Sequence, residues 1–197
     1  MTVTDPKTDL HSYLQEARDA LLWKLEGLSE YEIRRPLVPT GTNLLGLVKH
    51  MTAIELAYFG DTFGRPYPSA PPQDESDANA DMFARPDESR EFITGQYRQA
   101  WAYADATISE LPLDAIGHVP WWGAPRNEVS LHQILVRMTT ETSRHAGHAD
   151  IIRELIDGAA GMAAHNPNLP ADDAGWWSRY RDRVEQAARE AADPAGG

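Results

Sequence analysis

Apolar residues recur every three or four positions along four stretches of the chain, the spacing that places them on one face of an α-helix. The predicted helices span about residues 6–28, 42–63, 86–111 and 130–157. Between the second and third helices, residues 64–81 are rich in proline and acidic residues and indicate a long surface loop. A fifth helix begins near Trp176 and could cover the others with its aromatic residues. The pattern predicts an all-α fold.

The fourth predicted helix carries ionisable residues on a face that is otherwise apolar. Glu141, His145 and His148 are four and then three residues apart, so they fall within a sector of about 60° around the helix. The apolar members of the same stripe are Ile134, Met138, Ile152 and Leu155. His132 points half a turn away and lies outside the predicted site. Because burying an ionisable group without a partner is costly, mutual hydrogen bonds or a bound cation are expected at this face.

The second predicted helix also turns a histidine inward. His50 shares its face with Leu47, Ile54 and Ala57. Two imidazoles and one carboxylate are the ligand types of an open zinc or nickel site that keeps a position for water or substrate. The sequence therefore favours a divalent metal held by His50, Glu141 and His145. The alternative is that each is a hydrogen-bonded core or interface side chain without a metal.

The connector before the fourth helix is aromatic and interrupted by glycine and proline, so a short extended piece is expected there. Its Trp121 and Trp122 would either line a pocket or pin the connector against the helices. Ser130 and Gln133 fit a capping box that starts the fourth helix. Within that helix, Gly147 costs about 1 kcal/mol relative to alanine, which suggests close approach of a neighbouring helix, substrate or partner.

Composition narrows the functions that the chain can have. Its 197 residues suit a single domain. The net charge of −12 disfavours nucleic acid as a partner, because binding a phosphate backbone needs a basic surface. No apolar run approaches the about 20 residues of a membrane span, and the amino terminus lacks a signal-peptide core, so we expect a cytoplasmic protein with no membrane association. There is no cysteine, so thiol chemistry would need a thiol from a substrate.

Four separated motifs resemble one family in the right order. They are residues 35–50, 63–66, 119–122 and 141–150. On these motifs the chain resembles the DinB-like superfamily, which includes bacillithiol- and mycothiol-dependent transferases, and more narrowly its DUF664 subfamily from actinobacteria. The resemblance implies a single domain over residues 1–197: a four-helix bundle at about 7–157, with a long crossover loop between its second and third helices, and a C-terminal extension over 158–197 that adds a helix.

The resemblance also implies a site and a reaction. The superfamily's metal-ligand positions match His50, Glu141 and His145, and Glu141 stands where many relatives have histidine. His148 would be a fourth ligand or a hydrogen-bond partner of one. The implied function is a metal-dependent S-transferase that activates mycothiol against a small electrophile, with zinc as the expected metal and nickel or manganese as alternatives. No catalytic side chain is implied, and a homodimer is expected. A metal-assisted hydrolase or isomerase and a non-catalytic, stress-associated metal-binding protein are the rival functions.

Overall fold

The computed structural model describes residues 5–68, 77–170 and 173–192. Its α-helices are α1 (Pro6–Trp23), α2 (Glu30–Arg34), α3 (Leu44–Glu55), α4 (Arg90–Glu110), α5 (Leu131–Asp157) and α6 (Ala174–Ala192). A π-helical turn over Leu56–Gly60 and a 3-10 turn over Asp61–Phe63 continue α3. Strands β1 (Ile116–His118) and β2 (Glu128–Ser130) pair antiparallel between α4 and α5. The predicted all-α class is confirmed, with a small hairpin as the extended piece of the connector.

The long helices pack around one apolar core. Helix α1 lies against α5, and α3 contacts both α4 and α5. The inward faces of these helices supply fully buried side chains, among them Leu14, Leu21, Leu47, Met51, Tyr97, Leu135 and Met138. Among the described residues, no helix is both long enough and apolar enough to cross a bilayer. The contact of α3 with α5 matters most for the site, because each of these helices carries an inward histidine.

The start and end of α5 follow from its terminal residues. Ser130 Oγ accepts a hydrogen bond from the Gln133 backbone N–H, and the Gln133 side chain accepts one from the Ser130 N–H, which is the predicted capping box. Gly158 ends the helix in the left-handed conformation, at φ 76°. The α3 helix starts at Leu44, two residues after the predicted start at residue 42, because Asn43 caps it by accepting a hydrogen bond from Gly46 N–H.

Two other helix boundaries differ from the prediction. The first helix ends at Trp23 instead of about residue 28, because Gly27 takes a positive φ of 76° and Ser29 caps a separate short helix. That helix, α2, lies between the first two predicted helices, where no helix was predicted. The α4 helix begins at Arg90 rather than near residue 86, since Ser89 accepts a hydrogen bond from Phe92 N–H. Ser29 and Ser89 cap these helices through local hydrogen bonds, which the spacing of apolar residues does not predict.

Three further expectations are corrected by the packing. Leu155 was predicted on the buried stripe of α5 but is 61% exposed, because the buried face of the last turns runs through Ile152 and Ile156 and leaves Leu155 on the solvent side. A Cβ built on Gly147 has no atom of the described residues within 4 Å, so no neighbouring helix approaches this glycine closely. No residue of α6 is buried, and its Trp176 and Tyr180 rings stack on each other at 5.3 Å, so its aromatic face does not seal the core. The predicted loop 64–81 lies partly outside the described residues.

Candidate metal centre

Helices α3 and α5 bring three candidate ligands together. His50 comes from α3, Glu141 and His145 come from α5, and one ligand atom from each residue lies within 4.8 Å of the other two. The His50 and His145 rings meet edge to face with their centroids 5.0 Å apart. His145 Nε2 lies 3.3 Å from Glu141 Oε1. The three residues predicted from helical spacing therefore converge at one point, and their role as metal ligands stays a prediction.

The environment of His145 suits a neutral metal ligand. Burial lowers the pKa of its imidazole, and the neighbouring His50 lowers it further, while Glu141 acts in the opposite direction. One ring nitrogen faces Glu141, but Nδ1 is buried and has no hydrogen-bond partner among the described residues. A core histidine that served packing alone would normally have this atom satisfied. The donor set and the unsatisfied nitrogen both fit a divalent cation.

Asp81 contacts the candidate ligand His50, and sequence analysis did not predict this contact. Its Oδ2 lies 2.6 Å from His50 Nδ1. A carboxylate at this nitrogen favours the tautomer in which Nδ1–H donates to Asp81 and Nε2 keeps its lone pair for a metal. Asp81 is one of several acidic residues in a proline-rich loop, so no periodicity distinguishes it from its neighbours. Only the path of the chain back to α3 reveals its position.

The segment after Asp81 is fixed to α3 by backbone contacts. Asn43 Nδ2 donates a hydrogen bond to Met82 O over 3.2 Å. Lys49 Nζ donates to Phe83 O over 3.1 Å. Gly46 lies so close to Met82 O that a Cβ at this position would overlap the carbonyl. Because these contacts fix the two residues that follow Asp81, they hold its carboxylate beside the His50 ring.

Replacing Gly46 by alanine should therefore push the loop away from α3. We expect a destabilisation of about 1–3 kcal/mol, as for overpacked sites, together with weaker metal binding. Gly147→Ala is the matched control, since its new methyl group meets nothing within 4 Å and should stabilise α5 by about 0.5–1 kcal/mol. Urea denaturation of both variants measures the difference. A Gly46→Ala protein as stable as Gly147→Ala would show that the contact with Met82 does not constrain the loop.

Replacing Asp81 by asparagine should weaken metal affinity by about 10–100-fold, the usual effect of losing a carboxylate that orients a ligating histidine. The affinity can be measured by competition with a chromophoric chelator. Asp77→Asn is the control, because Asp77 is an exposed acid of the same loop whose carboxylate accepts a hydrogen bond from Asn79 N–H. Equal affinities for the two variants would remove Asp81 from the site.

The remaining predicted residues lie at the margin of this group. The His148 ring is exposed, with its centroid 5.4 Å from that of His145, and it is not one of the three converging residues. Trp121 and Trp122 pack edge to face on Tyr58, at 5.2 and 6.0 Å. The ring of Trp122 also lies under the guanidinium of Arg137, which lines the cleft described next.

An open cleft of about 340 Å³ adjoins Glu141 on the outer side of α5. Its lining residues are His132, Gln133, Val136, Arg137, Thr140 and Glu141. Neither tryptophan of the connector is among them. His132, which sequence reasoning placed outside the site, borders this cleft although it does not join the three converging residues. Of the three candidate ligands, Glu141 alone lines this cleft.

This chain is similar to a known protein family and to a solved structure. No curated protein matches the sequence. A crystal structure of a conserved protein from Enterococcus faecalis has a similar fold, with a TM-score of 0.61 at 15% identity over 80% of this chain and all of that chain. A family model described as mycothiol-S-transferase matches residues 9–158, which is most of the chain. It confirms the DinB-like resemblance, while the DUF664 assignment stays a prediction. The chain belongs to the mycothiol S-transferase family.

Proposed function

We propose that this protein is a metal-dependent S-transferase that joins mycothiol to a small electrophile. The observation that carries the proposal is the convergence of His50, Glu141 and His145 from two helices, in a member of the mycothiol S-transferase family. The chain contains no cysteine, so the reacting sulfur has to come from a substrate thiol. The cleft beside Glu141 offers room for the second substrate.

Each residue of the site would have a separate role in binding the metal. His50 and His145 would hold the cation as neutral imidazoles, and Glu141 would add one negative charge. The site would then keep a net charge of about +1 from a divalent ion. When bound, such a cation lowers the pKa of a thiol and stabilises its thiolate. Asp81 would hold the His50 ring in position, and burial lowers the pKa of the His145 imidazole, which favours the neutral form that binds a metal.

We infer zinc as the metal, because two imidazoles and one carboxylate are a common ligand set of open zinc sites. Nickel and manganese also accept these donors, so metal analysis of the purified protein decides among the three. We also infer that α1, α3, α4 and α5 form the four-helix bundle of DinB-like proteins within one domain over 1–197. The family match ends at residue 158, and α6 beyond it buries no residue, which supports a bundle core at about 7–157 followed by an extension.

The experiment that tests the proposal compares thiols in a conjugation assay. Metal-loaded protein should accelerate the reaction of mycothiol with monochlorobimane, and metal-free protein should not. Cysteine, glutathione and bacillithiol should be poorer substrates because binding of the remainder of the thiol contributes to the rate. Rates equal to the uncatalysed background with every thiol, in protein that holds metal, would contradict the proposal. Hydrolysis of a model ester by that preparation would then favour a hydrolase, and its absence a non-catalytic metal-binding protein.

Glu141→Gln should retain the shape of the site but remove its negative charge. We expect weaker metal retention and a lower conjugation rate, with the order of preference among thiols unchanged. Metal content and initial rates are measured on the same preparation. A variant that changed its preferred thiol while keeping its metal would instead place Glu141 in substrate recognition.

A further inference from the structure

Arg137 is the cationic side chain of the cleft beside the candidate metal centre. Its guanidinium carbon lies 5.0 Å from the centre of the Tyr58 ring and 4.9 Å from that of Trp122. Cation–π attraction to the two rings restrains the guanidinium, and its N–H donors lie in the guanidinium plane. The side chain is exposed, yet two rings from outside α5 orient it. The two ring contacts therefore restrict the orientation of the Arg137 side chain, although it is exposed to solvent.

The N–H donors of Arg137 have no hydrogen-bond acceptor within the described part of the chain. Among the described residues it makes no ion pair and no hydrogen bond, although the chain carries 30 acidic residues against 18 basic ones. The buried arginines differ, since Arg18 binds Glu55 and Asp105, and Arg153 binds Asp157. A guanidinium with five donors and no acceptor is suited to a carboxylate, which it can bind through two parallel hydrogen bonds.

Arg137 lies close to Glu141, one of the candidate metal ligands, so a group bound by Arg137 would be near the proposed metal site. Arg137 and Glu141 are four residues apart on α5, so they are neighbours on its surface, with Cβ atoms about 5–6 Å apart. Both line the cleft, together with the polar Gln133 and Thr140 and the apolar Val136. A small molecule whose anionic end contacts Arg137 would therefore have its remaining atoms within reach of the candidate ligands.

We propose that Arg137 is a specificity-determining residue that binds a carboxylate on the small electrophile. This inference rests on the proposed function and adds a substrate class to it. Mycothiol carries no carboxylate, so the group recognised by Arg137 belongs to the second substrate. The carboxylate would anchor the electrophile at one end of the cleft and direct its reactive carbon towards the thiol.

Equilibrium binding tests the inference without requiring turnover. Calorimetry with zinc-loaded protein should show 3,5-dinitrobenzoate binding about 10-fold more tightly than the neutral 3,5-dinitrobenzamide, as expected for hydrogen bonds to a charged group. Arg137→Gln should abolish this preference. Arg98→Gln is the control, because Arg98 is an exposed arginine of α4 that does not line the cleft, and this variant should keep the preference.

A carboxylate can also bind a metal, so the titrations are repeated with metal-free protein. Persistence of the preference there, and its loss in Arg137→Gln, supports recognition by the guanidinium. A preference that disappears with the metal, or that Arg137→Gln retains, overturns the inference. Because binding is read directly, this result is independent of whether the protein transfers thiols.

Kinetics then separates a role in substrate recognition from a structural one. With 4-chloro-3,5-dinitrobenzoate, the mycothiol sulfur forms a C–S bond as the C–Cl bond breaks, chloride leaves with the bonding pair, and the thiol proton goes to solvent. Arg137→Gln should lower kcat/KM for this benzoate about 10-fold more than for the corresponding benzamide, mainly through KM. An equal loss for both electrophiles would overturn carboxylate recognition. Absence of conjugation in every protein would contradict the proposed function instead, while the binding result would still decide the role of Arg137.

Discussion

Replacing either His50 or His145 by alanine should abolish near-stoichiometric metal binding and lower the rate of thiol conjugation by more than about 100-fold. Each substitution removes one of the three converging candidate ligands, so its effect should exceed the about 10–100-fold that accompanies loss of a partner of a ligand. His145 should be the more sensitive position, because the void left by its partly buried ring also disturbs Glu141. Plasma mass spectrometry of tag-free protein measures the metal directly.

His165→Ala is the matched control for these substitutions. His165 is an exposed histidine in the loop between α5 and α6, and it is not one of the three converging residues. This variant should bind as much metal as the wild type. Retention of near-stoichiometric metal by both His50→Ala and His145→Ala would mean that the ion binds elsewhere, and the three residues would then be partly buried side chains without a metal.

Glu55→Ala should destabilise the protein by about 3–5 kcal/mol, the largest loss that we expect from a single polar substitution. Arg18 and Glu55 are both fully buried and joined by two hydrogen bonds, of 2.9 Å from Nε and 2.6 Å from Nη2. Burial raises the pKa of Glu55, whereas Arg18 opposes that change. Removing the carboxylate would leave the buried guanidinium with only Asp105 as a charged partner. Urea denaturation monitored by circular dichroism measures the loss.

Two further variants show whether that loss arises from an unpaired buried charge. The double substitution Arg18→Met with Glu55→Leu should recover much of the stability, because replacing both members of a buried ion pair by apolar residues is often neutral. Glu110→Ala removes a solvent-exposed ion pair with Arg65 and should change stability much less than Glu55→Ala does. If Glu55→Ala cost no more than Glu110→Ala, the buried pair would not be a main source of stability.

The parts of the molecule that sequence predicted well depend on local or periodic information. The capping box at Ser130 and Gln133 needs only residues three apart, and the common face of Glu141 and His145 follows from the helical repeat. The second inward histidine, His50, could be found in the same way from the apolar face of its own helix. Convergence of the two helices required their packing, which the resemblance to DinB-like proteins supplied.

The parts that sequence missed depend on contacts between distant segments. Asp81 reaches His50 only because the loop returns to α3, where Gly46 leaves space for the backbone of Met82. The ring contacts of Arg137 join α5 to Tyr58 and to the connector, and no repeat along α5 distinguishes it from other exposed arginines. Buried Arg18 was also overlooked, since a charged residue on a helix face normally indicates solvent. Its carboxylate partner lies 37 residues away.

In the proposed function, a substrate thiol would bind as its thiolate to a metal held by His50, Glu141 and His145. Cobalt(II) in place of the native metal makes this visible, because a thiolate ligand adds a charge-transfer absorption band in the near ultraviolet. Titrating mycothiol into cobalt-loaded wild-type protein should produce this band with saturation at one thiol per metal, and the His145→Ala protein should not produce it. A cobalt-loaded wild-type protein whose spectrum mycothiol leaves unchanged would contradict the claim.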